Sequence, residues 1–164
     1  MIRRILVALD GSPRAPGVLD AAAEIAERFG ATLHPLRAIT VPPEFPPAGA
    51  SSHADPLLPL MRQSALDDVQ LLAAKPRAAV VTPPTIKVGQ PWRMILEAAE
   101  EIDADLIVVG SHGYHGLDRV IGTTAGKVAN LARRNVLVVH NRDRAPTAAP
   151  SSGTSLVDEK KGTP

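Results

Sequence analysis

Cysteine is absent from the chain. A disulfide framework is therefore excluded, together with a thiolate nucleophile and any cysteine-ligated metal. Aromatic residues are nearly absent too: one Trp, one Tyr and two Phe among 164 residues. Ile, Leu, Val and Ala must then fill the interior, which suits parallel strands covered by helices. No excess of either charge stands out, since 18 Lys and Arg meet 17 Asp and Glu for a formal net charge of +1. Without a basic cluster there is no electrostatic footprint for nucleic acid. No run approaches the length of a membrane-spanning helix, so no membrane association is expected. Arg3-Arg4 before Ile5–Leu9 has the look of a signal, but Asp10 ends the apolar run after five residues, too short for a signal core. A cytoplasmic location follows by default.

What the chain does have is alternation. Ile2–Leu9 reads as a strand apolar on both faces, the pattern of a central parallel strand. Asp10-Gly11-Ser12-Pro13 reads as a turn into a helix, with Ser12 as N-cap and Pro13 in the first helical position. Val18, Ala22, Ile25, Ala26 and Phe29 recur at helical spacing, and Gly30 stops the helix. Thr32–Ile39 is the second strand. Pro35 cannot donate to a ladder, so a bulge or an off-centre position is expected there.

Residues 40–56, rich in Pro, Ala, Ser and Gly, read as a mobile surface loop. Leu58, Met61, Ala65, Val69 and Leu72 mark a second helix, and Thr85–Val88 a third strand. Pro91 opens a helix whose apolar face carries Ile95, Leu96, Ala99 and Ile102. Leu106–Val109 is a buried strand. Ala125, Val128, Ala129 and Ala132 define the last helix, and Val136–Val139 the last strand. Residues 142–164 read as a disordered tail after a domain spanning 1–141. This order predicts an open parallel α/β sheet with helices on both faces. Such sheets bind ligands beyond the carboxyl ends of the strands, where strand order reverses.

Two loops at that edge carry unusual residues. One holds Asp10, whose carboxylate suits a ribose hydroxyl or an adenine amino group, or else caps the following helix. The other runs from Gly110 and holds Gly110, Gly113, Gly116 and Gly122 in a short span. Glycines admit close backbone approach to a ligand. Gly122-Thr123-Thr124 precedes a helix, whose N-terminus offers unpaired N–H groups and partial positive charge. The spacing leaves a phosphate cradle and a loop with helix-capping threonines equally open. Lys127 is not placed as a P-loop lysine and reads as a solvated helix residue. The Gly-x-Gly-x-x-Gly fingerprint is absent.

His112 suits phosphate or backbone hydrogen bonding, and His115 solvent. Ser111 lacks the frame of a nucleophile elbow, and Trp92 reads as core or interface packing. No catalytic or metal-binding set emerges.

Three blocks in order resemble the universal stress protein family. They are Ile5-Leu6-Val7-Ala8-Leu9-Asp10-Gly11-Ser12, then Ala104-Asp105-Leu106-Ile107-Val108-Val109-Gly110-Ser111-His112-Gly113, then Gly116-Leu117-Asp118-Arg119 with Gly122-Thr123-Thr124 and Asn135–Val139. The resemblance is to small single-domain bacterial members and covers roughly residues 1–141.

It implies a five-stranded parallel sheet in the order 3-2-1-4-5, Rossmann-like and similar to adenine nucleotide α-hydrolases. It implies a homodimer paired through Val136–Val139 and ATP, with or without Mg²⁺, between the first and fourth strand ends. By position, Ala8 and Asp10 would line adenine and ribose, Ala38 would touch the base and Val109 would wall the pocket. Gly110, Ser111, His112, Gly113, Gly122, Thr123 and Thr124 would form the phosphate loop.

ATP-binding members usually show Gly-x2-Gly-x9-Gly-[Ser/Thr]; here eight residues separate Gly113 from Gly122. An ATP-binding regulatory module in the stress response is the expectation. A slow ATPase or phosphotransferase would need carboxylates for Mg²⁺, and the loop offers only Asp118. A dimeric interaction protein without nucleotide is the alternative that the shortened loop supports. A flavoprotein subunit of related fold would need a much longer chain.

Overall fold

The computed structural model describes residues 1–41, 57–75, 78–111 and 122–140. Its order is β1 (Arg4–Ala8), α1 (Ala15–Phe29), β2 (Thr32–Ile39), α2 (Leu57–Ala73), β3 (Val80–Val81), β4 (Thr85–Val88), α3 (Pro91–Glu101), β5 (Leu106–Gly110), α4 (Thr123–Leu131) and β6 (Asn135–Val139). All pairings are parallel, in the order β3-β2-β1-β5-β6, with β4 also on β2. The Pro-rich segment beyond Val41 and the tail beyond His140 lie outside the described residues.

The sheet takes up apolar side chains on both faces. Ile5, Val7, Leu33 and Val108 pack under Leu19, Ala22, Ala26 and Val69 of α1 and α2. Leu6, Leu36, Ile107 and Val109 pack under Ile95, Ala98, Ala99 and Val128 of α3 and α4. The first two crossovers therefore cover one face and the last two the other, as the unbroken apolar runs of β1 and β5 require. Alanines on α1 let that helix lie close to the sheet in place of the missing aromatics.

The third strand is split in two, so the sheet has six segments where five are expected. Pro35 explains the split. The Leu33 carbonyl accepts from Thr82 N–H on the outer side, while the Leu36 carbonyl accepts from Leu9 N–H beside β1. Alternation along the strand turns the donorless nitrogen of Pro35 outward. There the partner register slips: Leu33 pairs with Val81, but Leu36 pairs with Thr85. Three steps along β2 match four along its neighbour, which is a bulge. The extra residue falls at Pro83-Pro84, which lack N–H donors of their own.

Two side chains depart from the expected core. Phe29 is 55% exposed because it is the last residue of α1, where Gly30 in the left-handed region (φ 62°) turns the chain into β2. Ala129 is also exposed, since Ala125 and Val128 alone carry the buried stripe of short α4.

At the amino edge a charged cluster ties strands to helix ends. Arg4 pairs with Asp103, and Arg134 bridges Glu100 and Asp103. The Asp105 carboxylate accepts the N–H groups of Arg3 (2.8 Å) and Arg4 (3.0 Å). These backbone bonds, helped by the Arg4 charge, hold its carboxyl below the usual range. A depressed folded pKa contributes stability that is present above the unfolded value and lost as pH falls through the folded one. Asp105→Ala is therefore expected to lower stability in urea at pH 7 by about 1 kcal/mol, since the carboxylate stands at the screened surface. The gap should close as pH drops below about 4. A gap unchanged in acid would assign the loss to something other than this carboxylate.

Candidate functional site

β1 lies between β2, reached through α1, and β5, reached through α3. Strand order reverses between β1 and β5, which leaves a crevice past their carboxyl ends. A cavity of about 500 Å³ opens there, within the roughly 300–1,000 Å³ of small-molecule sites. Its apolar wall includes Ala8, Ala38 and Val109 from the sheet and Val18, Pro91 and Ile95 from helices. Asp10, Gly110, Ser111, Gly122, Thr123 and Thr124 also line it. Of the residues singled out from sequence, His112 and Gly113 lie outside the described residues.

The loop after β1 is held by a carboxylate and a hydroxyl. Asp10 Oδ1 accepts from the Ser12 hydroxyl at 2.6 Å and from Ser12 N–H at 3.2 Å. The Ser12 Oγ in turn accepts from Arg14 N–H at 3.3 Å. Ser12 thus sits in a turn ahead of the helix and is not its N-cap. That position belongs to Arg14, and the proline of the first turn is Pro16, not Pro13. The tight Asp10–Ser12 pairing uses the residues that would otherwise begin the helix. Asp10 remains exposed, and its Oδ2 bonds no described residue.

The second wall is the start of α4. Gly122 N–H donates to the Ser111 carbonyl at 2.6 Å, and Ser111 N–H donates to the Val139 carbonyl at 2.9 Å. These bonds fix where the helix begins. Gly122 has φ −57° and ψ 154°, a conformation open to any residue, so positive φ does not account for this glycine.

The first orphan donors of the helix are left open. The N–H groups of Thr123, Thr124 and Ala125 bond no described residue, and neither do the two threonine hydroxyls. No side chain caps the helix and no acid stands in its first turn. All three residues line the cavity. The result is three backbone donors, two hydroxyls and a helix N-terminus beside an apolar slot, a set that favours an anion joined to a flat apolar group.

Sequence reasoning missed Arg14, which lines the same cavity. A charge at a helix start reads as a surface residue, and only the fold brings this one to the cavity.

The other notable side chains are elsewhere. Trp92 packs against the α3/α4 core, with the Arg93 guanidinium at 5.6 Å and the Lys127 ammonium at 5.3 Å from its ring. His34 is on β2, 3.3 Å from the Thr82 hydroxyl, and burial pushes its pKa down. Among the described residues no three His, Asp or Glu gather as a metal site, and no helix is long and apolar enough to cross a membrane.

Comparison with known proteins agrees with this architecture. The family model described as "Universal stress protein family" matches residues 1–140. Universal stress protein A homolog 1 of Coxiella burnetii is 33% identical over 141 residues, covering 84% of this chain and 95% of that protein. A universal stress protein family structure from Burkholderia pseudomallei superposes with a TM-score of 0.64 at 30% identity, over 85% of this chain and 97% of that one. A universal stress protein solved in complex with cAMP gives 0.57 at 26% identity, over 85% and 97%. The chain belongs to the universal stress protein family.

Proposed function

We propose that this chain binds ATP in the cavity at the carboxyl edge and acts as a cytoplasmic regulatory module of the stress response. The observation that carries the proposal is the set of unpartnered donors on Thr123, Thr124 and Ala125 facing an apolar slot. Backbone N–H groups at a helix start suit phosphate. Ala8, Ala38 and Val109 suit the faces of a base, and the second oxygen of Asp10 suits a ribose hydroxyl. The relative solved with cAMP supports an adenine nucleotide as the ligand class. Gly110 and Ser111, with His112 and Gly113 beyond them, complete the proposed phosphate loop.

Mg²⁺ would enter with the phosphates. Asp10 is the one carboxylate among the described lining residues and is braced to Ser12, too little for a protein-built metal site. For the same reason the reading is binding, not phosphoryl transfer.

Thr123→Val keeps the shape and removes one donor. Isothermal titration should show ATP affinity weakened about ten- to hundredfold, the worth of one hydrogen bond to a charged group, with thermal stability unchanged. Equal affinity in wild type and variant would take the Thr123 hydroxyl out of the phosphate contacts. No heat from wild type stripped of nucleotide would favour a dimeric interaction protein that binds none.

The same reading includes a homodimer through β6. That strand has β5 on one side only, and Val136–Val139 are half-buried. An apolar edge with open ladder groups is covered when it pairs with its own copy about a two-fold axis. Light scattering at micromolar concentration should give twice the 17.2 kDa chain mass; a monomer would refute the pairing.

A further inference from the structure

Ser12 is 6% exposed and stands in the middle of a chain of hydrogen bonds that ends on Asp10. Its N–H is shared between the Asp10 carbonyl at 2.8 Å and Asp10 Oδ1 at 3.2 Å. Its carbonyl accepts from Ala15 N–H at 3.1 Å, and its Oγ accepts from Arg14 N–H at 3.3 Å. The serine is thus held by backbone on both sides of the turn. A carboxylate only accepts hydrogen bonds, so the Ser12 hydroxyl donates to Asp10 Oδ1, at 2.6 Å. The last torsion of an aspartate is broad when nothing holds it. Two donors from one buried residue remove that freedom and take up Oδ1, while Oδ2 bonds no described residue. Both residues line the cavity, with Ala8 and Ala38. The carboxylate is thereby braced on one oxygen and open on the other.

We infer that Ser12 is a positioning residue of this site: by bracing Oδ1 of Asp10 it leaves Oδ2 as a fixed acceptor for the ribose edge, and so makes binding depend on the ribose hydroxyls, with ATP preferred to 2′,3′-dideoxy-ATP. The inference rests on the proposed nucleotide site and deepens it. A hydroxyl that donates to an ionised oxygen makes a short bond, about twice as strong as a neutral one. Such a bond discriminates best when its acceptor is already in place, because ordering a turning side chain offsets part of the gain. A sugar without hydroxyls leaves Oδ2 facing the ligand with no donor, and a site built for hydroxyls rejects a ligand that lacks them. Ser12 acts through Asp10, so its effect must vanish when Asp10 is removed.

The test is isothermal titration of ATP and 2′,3′-dideoxy-ATP into wild type, Ser12→Ala, Asp10→Ala and the double variant. Wild type should prefer ATP by about tenfold or more. Ser12→Ala should lose most of that preference through weaker ATP binding, while its affinity for the dideoxy ligand barely moves. Asp10→Ala should lose the preference entirely, and adding Ser12→Ala to it should change nothing further. Ser12→Thr, which keeps the hydroxyl, should restore the preference. Ser12→Cys keeps the size and weakens the donor, and gives the same reading should Ser12→Ala fail to fold. Equal losses for both ligands in Ser12→Ala would overturn the inference and make Ser12 a support of the turn alone. An undiminished preference in Ser12→Ala would overturn it as well. Equal affinity of wild type for the two ligands would remove the dependence on ribose while leaving the nucleotide site standing. Failure of wild type to bind either ligand would end the nucleotide reading and this inference with it.

Discussion

Burial of β1 and β5 on both faces is the constraint from which the rest of the molecule follows. Ile5, Val7, Ile107 and Val108 are wholly inaccessible, each held between the sheet and a helix layer. Strands covered in this way have no solvent face for chemistry, so function is displaced to their ends. At the amino ends, charged residues close the sheet: Arg4, Asp103, Glu100 and Arg134 pair with one another, and Asp105 takes two backbone donors. At the carboxyl ends the chain leaves in two directions, and the gap between them is the cavity. The two edges thus differ in kind. One satisfies its own polar groups, and the other leaves donors open.

That asymmetry gives the site its character. A buried N–H without a partner costs roughly 1–3 kcal/mol, and native proteins rarely leave one orphaned away from solvent. At the start of α4 three consecutive donors bond no described residue, and all three residues line the cavity. The bond from Gly122 N–H to the Ser111 carbonyl fixes where that helix begins.

Much of this was legible in the sequence, for identifiable reasons. The apolar runs Ile5–Leu9 and Leu106–Val109 have no polar alternation, which two-sided burial requires. Gly30 and Pro91 mark helix ends by backbone chemistry that tertiary context rarely overrides. The threonines after Gly122 announced a helix start at a sheet edge. The remainder depended on geometry in space. Pro35 signals a bulge, but only the direction of its nitrogen tells that the outer strand is the one divided. Ser12 has the chemistry of an N-cap, yet Asp10 captures its hydroxyl and delays the helix. Phe29 keeps helical spacing to the end of α1, where the stripe runs out. Arg14 carries no local mark at all, because only the fold brings it to the cavity.

The central claim is that the open amides at the start of α4 are the phosphate-binding groups. Backbone amide NMR during an ATP titration examines them one by one. The account predicts large, saturable shifts at Thr123, Thr124 and Ala125, with smaller ones at Ala8 and Ala38 and none at the amino-edge residues Asp103–Asp105. Shifts absent from Thr123–Ala125 while ATP binds elsewhere would contradict it.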